Sequence, residues 1–303
     1  MRIDDLIRAV RVMKNPTVLG LDTRVDYIPD DFARPYLEAG ATPAAGRAGA
    51  VYAFNAALLA GLREIIPCVK IQAAYCELLG PEGMTCLRMT LDEARRLGYA
   101  VIIDAKRGDI GATAEAYSAA YIGESAPFAA DFITVNPYLG YDGVKPFIDD
   151  CERTGRGIFA LVKTSNPSSG EFQDLKASDG RTFYDHVADR VGEWGKRLVG
   201  EEGYSSVCAV VGATYPVQGA DLRRRMCGTF FLLPGYGAQG ASASDLAGCF
   251  DAAGEGAIVA ASRSLICAHR KNPSHGSNFV EAAREEALRM KAELASVLRN
   301  ETR

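Results

Sequence analysis

The chain has 303 residues, 48% of them hydrophobic, and a formal net charge of −4 at pH 7. This length and apolar content are enough for one large domain with a sizeable core, and the small negative charge provides no basic surface for nucleic acid. No apolar run is long enough to span a membrane, and the N-terminal segment lacks the apolar stretch of a signal peptide. We therefore expect a cytoplasmic protein that binds neither nucleic acid nor membranes.

The cysteines and histidines give no sign of a metal site. The eight cysteines are scattered, with no C-x-x-C pair and no zinc spacing, which predicts reduced thiols in a cytoplasmic protein. None of the three histidines, at 186, 269 and 275, follows an obvious strand. We expect neither a metal centre nor histidine-based catalysis.

Short apolar runs alternate with longer amphipathic segments along the chain. Strands are predicted at 17–22, 66–71, 99–104, 131–136, 157–163, 206–212, 229–233 and 256–261. Helices are predicted at about 48–64, 83–97, 112–124, 143–153, 182–199, 217–226, 243–252 and 278–299. This alternation is typical of parallel βαβ units, and eight units of this length favour an α/β fold, a (β/α)8 TIM barrel forming a single domain over 1–303. A doubly wound open sheet remains the alternative, because periodicity does not reveal closure.

Two long loops are predicted between these elements. Residues 30–47 are rich in proline, glycine and alanine, and residues 164–181 are rich in glycine, serine and aspartate. Long loops without secondary structure often act as lids or binding loops. A passive surface loop is the alternative for both.

Polar side chains stand at the carboxyl end of nearly every predicted strand, where TIM barrels carry their active sites. They are Asp22, Lys70, Asp104 with Lys106, Asn136, Thr164 to Asn166, Thr214, and Ser262 with Arg263. Lys70 is notable because a lysine inside an apolar strand is costly unless it is paired. These residues predict one site at this end of the barrel.

The segment DAKRGDIGATA at 104–114 is the most informative part of the chain, because it arranges two carboxylates and a lysine as D-x-K-x-x-D. Asp104 and Lys106 are two residues apart on a strand and should point to the same face. Asp109 follows between Gly108 and Gly111, where the chain turns freely. Two nearby aspartates favour the charged form of a lysine, and such a lysine can deliver a proton or stabilise a carbanion.

The loops after the last two strands predict an anion site. The glycine-rich PGYGAQG at 234–240, with Gly237 at its centre, offers backbone N–H groups, and Arg263 offers a fork of donors suited to phosphate. A surface salt bridge is the alternative role for Arg263. Gly235, Gly237 and Gly240 also match the dinucleotide fingerprint G-x-G-x-x-G, but at the seventh strand instead of the first. A nicotinamide-binding oxidoreductase is therefore kept as an alternative from a different class.

With these residues together, the sequence resembles the orotidine 5′-phosphate decarboxylases, specifically their larger bacterial branch, type 2. The resemblance rests on LGLD at 19–22, DAKRGDIGATA at 104–114, LVKTSNPSS at 161–169, VVGATYP at 210–216, PGYGAQGA at 234–241 and ASRS at 261–264. It implies a (β/α)8 barrel and a carbon–carbon lyase that converts orotidine 5′-phosphate to UMP and carbon dioxide in de novo pyrimidine biosynthesis. It also implies a homodimer with sites shared across the interface, and no metal or organic cofactor.

The resemblance implies a role for each charged residue. Asp22 would hydrogen-bond the ribose, and Lys70 would bind Asp104 and a ribose hydroxyl. Asp104 would lie against the substrate carboxylate, and Lys106 would be the acid that protonates C6. Asp109 would reach into the site of the partner subunit.

The residues implied in substrate binding are Ile110 and Thr113 beside Asp109, Ser165 at the pyrimidine amide, Gly237, and Gln239 with Arg263 at the phosphate. Ser262 departs from the smaller branch of the family, which often has glycine at this position. Magnesium-dependent sugar-phosphate decarboxylases or aldolases of the same superfamily are the nearest alternative, because they share D-x-K-x-x-D. They carry an acidic residue at the second strand, and Lys70 and Gln239 argue against them.

Overall fold

In the computed structural model, which describes residues 2–237, 241–271 and 278–300, eight parallel strands close into a barrel. The strands are β1 Thr17–Leu21, β2 Cys68–Gln72, β3 Ala100–Arg107, β4 Phe132–Val135, β5 Gly157–Lys163, β6 Ser205–Val211, β7 Thr229–Pro234 and β8 Ala257–Ala261. Each pairs with the next, and β8 pairs with β1. The predicted TIM barrel is confirmed, and the open-sheet alternative is wrong.

The helices surround the barrel. They are α1 Ile3–Met13, α2 Asp30–Ala39, α3 Pro43–Leu62, α4 Ala73–Glu77, α5 Gly80–Arg96, α6 Gly111–Tyr121, α7 Tyr141–Thr154, α8 Gly170–Gln173, α9 Phe183–Gly195, α10 Pro216–Arg225, α11 Ala243–Leu246, α12 Arg263–Ile266 and α13 Phe279–Asn300. In the described ranges, no helix is both long and apolar enough to cross a membrane.

The strands are predominantly apolar because both of their faces are buried along most of their length. In β6, for example, every residue is buried. One set of alternating side chains fills the barrel, with Phe132 and Phe159 at a centroid separation of 5.5 Å, and the other set packs against the helices. Helix α1, which was not predicted, adds Ile3 and Leu6 to the interior set and so covers the amino end of the barrel. The cavity described below opens at the carboxyl end.

The prediction of a long loop at 30–47 is wrong, because α2 and the start of α3 occupy it. Two acidic residues in the first turn of α2 favour its N-terminus. The side chain of Thr42 accepts a hydrogen bond from the Ala45 N–H and caps α3, and Pro43 occupies the first turn. A composition rich in proline, glycine and alanine favours a loop, but proline in the first turn is compatible with a helix start.

Two other segments, one predicted as a helix and one as a loop, contain short turns and irregular structure. The predicted helix at 243–252 is wrong beyond Leu246, where a 3-10 turn over Ala247–Cys249 replaces it. The predicted loop at 164–181 contains a 3-10 turn, the four-residue helix α8 and a bridge between Lys176 and Thr182, and is otherwise irregular.

Candidate active site

A cavity of about 590 Å³ opens at the carboxyl end of the barrel. The predicted residues on its wall are Asp22, Lys70, Asp104, Lys106, Thr164, Ser165, Asn166, Ser262 and Arg263, whereas Asn136 and Thr214 are not on it. The structure therefore brings together side chains from β1, β2, β3, β5 and β8 that are distant in the sequence. Closure of the barrel is what makes these strand ends meet.

The carboxylate of Asp104 is contacted by two donor groups at each oxygen. Its Oδ1 lies 2.6 Å from Lys106 Nζ and 2.9 Å from Thr134 Oγ1. Its Oδ2 lies 3.0 Å from Lys70 Nζ and 3.1 Å from Gln72 Nε2. Rotation of the carboxylate would break several of these contacts at once, so its orientation is fixed.

Lys70 is buried between two carboxylates, with its Nζ 3.0 Å from Asp22 Oδ1 and 3.0 Å from Asp104 Oδ2. Burial alone would lower the pKa of Lys70, but Asp104 and Asp22 outweigh it and raise the pKa above its usual range. Burial alone would likewise raise the pKa of Asp104, but Lys70 and Lys106 hold that pKa well below its usual range. Asp22, Lys70, Asp104 and Lys106 thus form a row of alternating charge along the cavity wall.

Lys106 has a left-handed backbone conformation, with φ of 46°. Such a conformation costs a non-glycine residue on the order of 1–3 kcal/mol. The pairing between β3 and β4 shifts register between Ile103 and Arg107, which marks a bulge around this lysine. Bulges near active sites re-aim side chains. The predicted contact between Lys106 and Asp104 is present, but it depends on this irregular backbone and not on a regular strand.

The loop after β5, which carries Ser165, is held by the end of β6. Thr214 Oγ1 donates to the Ser165 carbonyl at 3.1 Å, and the Tyr215 hydroxyl donates to the Asn166 carbonyl at 3.2 Å. A Cβ at Gly212 would lie 2.8 Å from Ser165 Cα, so only glycine allows this approach. The VVGATYP segment therefore positions Ser165.

The residues predicted to bind an anion follow β7 and β8. Ser262 and Arg263 line the cavity, and β1 requires glycine at 20 because a Cβ there would clash with the Ser262 hydroxyl. The Gly237 N–H donates to the Ala241 carbonyl at 2.9 Å, so it is used within its own loop. Gln239 and Gly240, the last glycine of the G-x-G-x-x-G match, lie outside the described residues. The helix that follows this match, α11, is only four residues long.

Asp109, Ile110 and Thr113 are not on the wall of the cavity that this chain forms. The carboxylate of Asp109 accepts the N–H of Ile110 at 2.8 Å, and the Ile110 side chain is 55% exposed. These residues lie on the outer rim, so a single chain does not bring them to the other predicted site residues.

Sequence reasoning missed four polar residues of the wall: Tyr27, Gln72, Tyr75 and Thr134. Gln72 stands two residues after Lys70 on β2, so strand alternation was a usable signal for it. Thr134 lies between Ile133 and Val135, where threonine is simply a good strand former, and no sequence signal distinguished it.

The chain is similar to known proteins along most of its length. Residues 55–275 match the orotidine 5′-phosphate decarboxylase / HUMPS family. An orotidine 5′-phosphate decarboxylase of Rhodopirellula baltica is 41% identical over 287 residues, which cover 92% of this chain and 93% of the relative. One from Clostridium novyi is 37% identical over 292 residues, covering 96% and 98%.

Among solved structures, the OMP decarboxylase of Leishmania donovani superposes with a TM-score of 0.74 at 29% identity, covering 97% of this chain and 100% of that one. The family match spans well over half of the chain, and the curated relatives match nearly all of it. The chain therefore belongs to the orotidine 5′-phosphate decarboxylase / HUMPS family.

Proposed function

We propose that this protein decarboxylates orotidine 5′-phosphate to UMP and carbon dioxide, a step of de novo pyrimidine biosynthesis. The observation that carries the proposal is the row Asp22, Lys70, Asp104 and Lys106 on one cavity wall, with successive contacts of 3.0, 3.0 and 2.6 Å. Relatives named orotidine 5′-phosphate decarboxylase that match nearly the whole chain support the same reaction.

Lys106 is the group suited to the chemical step. Loss of carbon dioxide breaks the bond between C6 and the carboxylate and leaves the electron pair on C6. An ammonium about 4 Å away stabilises that charge by ~4 kcal/mol at an effective dielectric of about 20, without the reorganisation that water requires. A proton then passes from Lys106 Nζ to C6, which completes the C–H bond of UMP. Asp104 holds the ammonium in place for both events.

The other wall residues would hold the rest of the substrate. Asp22 and Lys70 would bind the ribose, Ser165 the pyrimidine amide and Arg263 the phosphate, and all four line the cavity. Asp104 remains ionised because its pKa is well below the usual range. Its negative charge would therefore oppose the substrate carboxylate and favour its departure.

A magnesium-dependent sugar-phosphate enzyme is less compatible with these residues. The ammonium of Lys70 lies between the carboxylates of Asp22 and Asp104 and contacts both. The chain thus supplies its own cation where two carboxylates converge. No observation of the site favours this second function.

We also propose that the protein is a cytoplasmic homodimer in which Asp109 completes the site of the partner. The eight cysteines are free thiols, which fits a reducing compartment. Exposed apolar side chains follow β3 and β4 and form what we call the apolar rim: Ile110, Tyr138, Leu139 and Tyr141.

The apolar rim lies beside Asp109. A Cβ at Gly143, near the start of α7, would lie 2.9 Å from the Asp109 carbonyl oxygen and 3.2 Å from Leu139 Cβ. Contiguous exposed apolar patches mark interaction sites in soluble proteins. A second copy is the partner that fits, because it would bring Asp109 to a cavity that this chain leaves without it.

The test is the ultraviolet absorbance of orotidine 5′-phosphate incubated with purified protein, with and without EDTA. We expect rapid loss of the orotate chromophore, unaffected by EDTA and abolished in Lys106→Ala. Lys196→Ala, which removes an exposed lysine paired with Glu193 on α9, is the matched control and should keep wild-type activity. No turnover by folded wild-type protein would contradict the proposal, and keto-sugar phosphates with magnesium would then be the substrates to test.

A further inference from the structure

Thr134 is a buried residue of β4, 1% exposed, whose hydroxyl is fully engaged at the proposed site. Its Oγ1 accepts the backbone N–H groups of Ala105 at 3.0 Å and Lys106 at 2.9 Å, and donates to Asp104 Oδ1 at 2.9 Å. A hydroxyl has one proton to donate and two lone pairs. The proton and both lone pairs of the Thr134 hydroxyl are therefore used in hydrogen bonds to one stretch of β3, residues 104–106.

The register of the sheet explains why this stretch needs a side-chain partner. Ile103 pairs with Ile133 and Arg107 pairs with Val135, so three residues of β3 face Thr134 alone. Buried N–H groups must find acceptors. The Thr134 hydroxyl supplies the acceptor for two successive N–H groups within the bulge, including that of Lys106, whose φ is 46°. A strained backbone persists only where its surroundings determine it.

Strand formation alone does not call for this hydroxyl. Both neighbours of Thr134 on β4, Ile133 and Val135, are buried and apolar, and valine would have the same shape and suit a strand equally well. The hydroxyl instead contacts the backbone of the proposed acid and the carboxylate that holds its ammonium.

We propose that Thr134 is a positioning residue for the decarboxylation, fixing the left-handed backbone of Lys106 and the orientation of Asp104. This inference rests on the proposed function. It adds that the rate depends on a hydroxyl on β4 that has no role in binding the ribose or the phosphate.

The test compares Thr134→Val, which removes the hydroxyl and keeps the shape, with Thr134→Ser, which keeps the hydroxyl. We expect Thr134→Val to lower kcat by on the order of 10²-fold, the effect of misplacing a catalytic group by about 1 Å. Its Kd for UMP should stay within about twofold of the wild-type value, because the residues proposed to bind ribose and phosphate are untouched. Thr134→Ser should restore kcat to within about threefold of wild type.

Thr17 on β1 provides the matched control. It is also buried, and its hydroxyl has no hydrogen-bond partner in the described part of the chain. Thr17→Val therefore makes the same chemical change in another barrel strand and should leave kcat unchanged. Should Thr134→Val fail to fold, Thr134→Ala takes its place in the comparison.

Three results would overturn the proposal: a kcat for Thr134→Val within about threefold of wild type, an equal loss in Thr134→Ser, or a proportional loss of UMP affinity. If wild-type protein does not decarboxylate orotidine 5′-phosphate, the proposed function fails, and a crystal structure of Thr134→Val decides the positioning role separately. Departure of Lys106 from positive φ would support that role, and an unchanged Lys106 would overturn it.

Discussion

Asp104 combines burial with a charge, and its environment makes the charged form the stable one. Burial opposes ionisation, but the ammonium groups of Lys70 and Lys106 more than compensate and keep its pKa well below the usual range. Ionised Asp104 is therefore favoured in the folded state relative to the unfolded chain, where the pKa is about 3.9. The charge is a source of pH-dependent stability as well as a component of the proposed reaction.

Asp104→Asn should change the pH dependence of stability in one direction. In the wild type, the contribution of ionised Asp104 is present above about pH 4 and is lost as the pH falls through the folded-state pKa. The variant has no such group, so its free energy of unfolding should fall less steeply below about pH 5. Urea unfolding at a series of pH values measures the difference.

Asp149→Asn is the control for this prediction. Asp149 is a half-exposed carboxylate paired with Lys145 on α7, and exposed pairs contribute little to stability. Its unfolding profile should follow the wild type. If the free energy of unfolding of Asp104→Asn also followed the wild type at every pH, Asp104 would not be preferentially ionised in the folded state.

Much of the site was predictable at the scale of single residues, and the reason is charge. Lysine and aspartate inside or directly after apolar strands need a partner, so Lys70, Asp104 and Lys106 were identifiable from the sequence. Thr134 and the positive φ of Lys106 were not. A threonine in a strand and a bulge of three residues leave no mark in the pattern of apolar residues.

At the scale of elements, β5 and its loop are joined by an ion pair between a buried lysine and a partly exposed aspartate. Lys163 ends β5 fully buried, with its Nζ 2.7 Å from Asp174 Oδ1 and 4.7 Å from the ring centroid of Tyr215. The Thr164 N–H donates to Gln173 Oε1 at 3.0 Å, and Gln173 Nε2 donates to the Thr164 hydroxyl at 2.8 Å. The loop that carries Ser165 is thus closed back onto its own strand.

Removing one partner of this pair should cost more stability than removing both. Asp174→Ala leaves the buried ammonium of Lys163 without its carboxylate, and we expect a loss of about 2 kcal/mol, less than the ~3–5 kcal/mol of a fully buried pair because Asp174 is partly exposed. The double variant Lys163→Met/Asp174→Ala removes the unpaired charge and should recover part of that loss. Urea unfolding of both variants tests this order, and a double variant less stable than Asp174→Ala would contradict it.

Elements with a strong periodic signal were predictable, and those defined by local capping were not. All eight strands were found because burial on both faces makes them continuous apolar runs. Helix α2 was missed because Pro35 lies inside it and Pro29 directly precedes it. Its stability comes from packing against α3 and from acidic residues in its first turn, which a composition-based loop assignment does not weigh.

At the scale of the whole molecule, closure of the barrel turns scattered strand ends into one cavity, but it leaves the proposed site without Asp109. Asp109 lies beside the apolar rim and off the cavity wall. The D-x-K-x-x-D motif identified Asp109, but the pattern of one chain does not encode the position of a residue that is proposed to act in a second chain.

If Asp109 acts across a dimer interface, two inactive variants should complement each other. Lys106→Ala and Asp109→Ala each disable both sites of their own homodimer, whereas a hybrid dimer has one doubly altered site and one intact site. Mixing equal amounts under conditions of subunit exchange should restore about a quarter of wild-type activity, because about half of the dimers are hybrids with one working site. Initial rates before and after exchange measure the recovery.

The apolar rim supplies the control for this complementation, because it should be buried when the hybrid forms. Tyr138 and Val217 are both 75% exposed in the single chain, but only Tyr138 belongs to the rim. Adding Tyr138→Glu to both variants would bury a carboxylate at the interface and should abolish the recovery. Adding Val217→Glu should leave it unchanged. Hybrids that form, as shown by native mass spectrometry of differently tagged chains, yet remain inactive would place Asp109 in the site of its own chain.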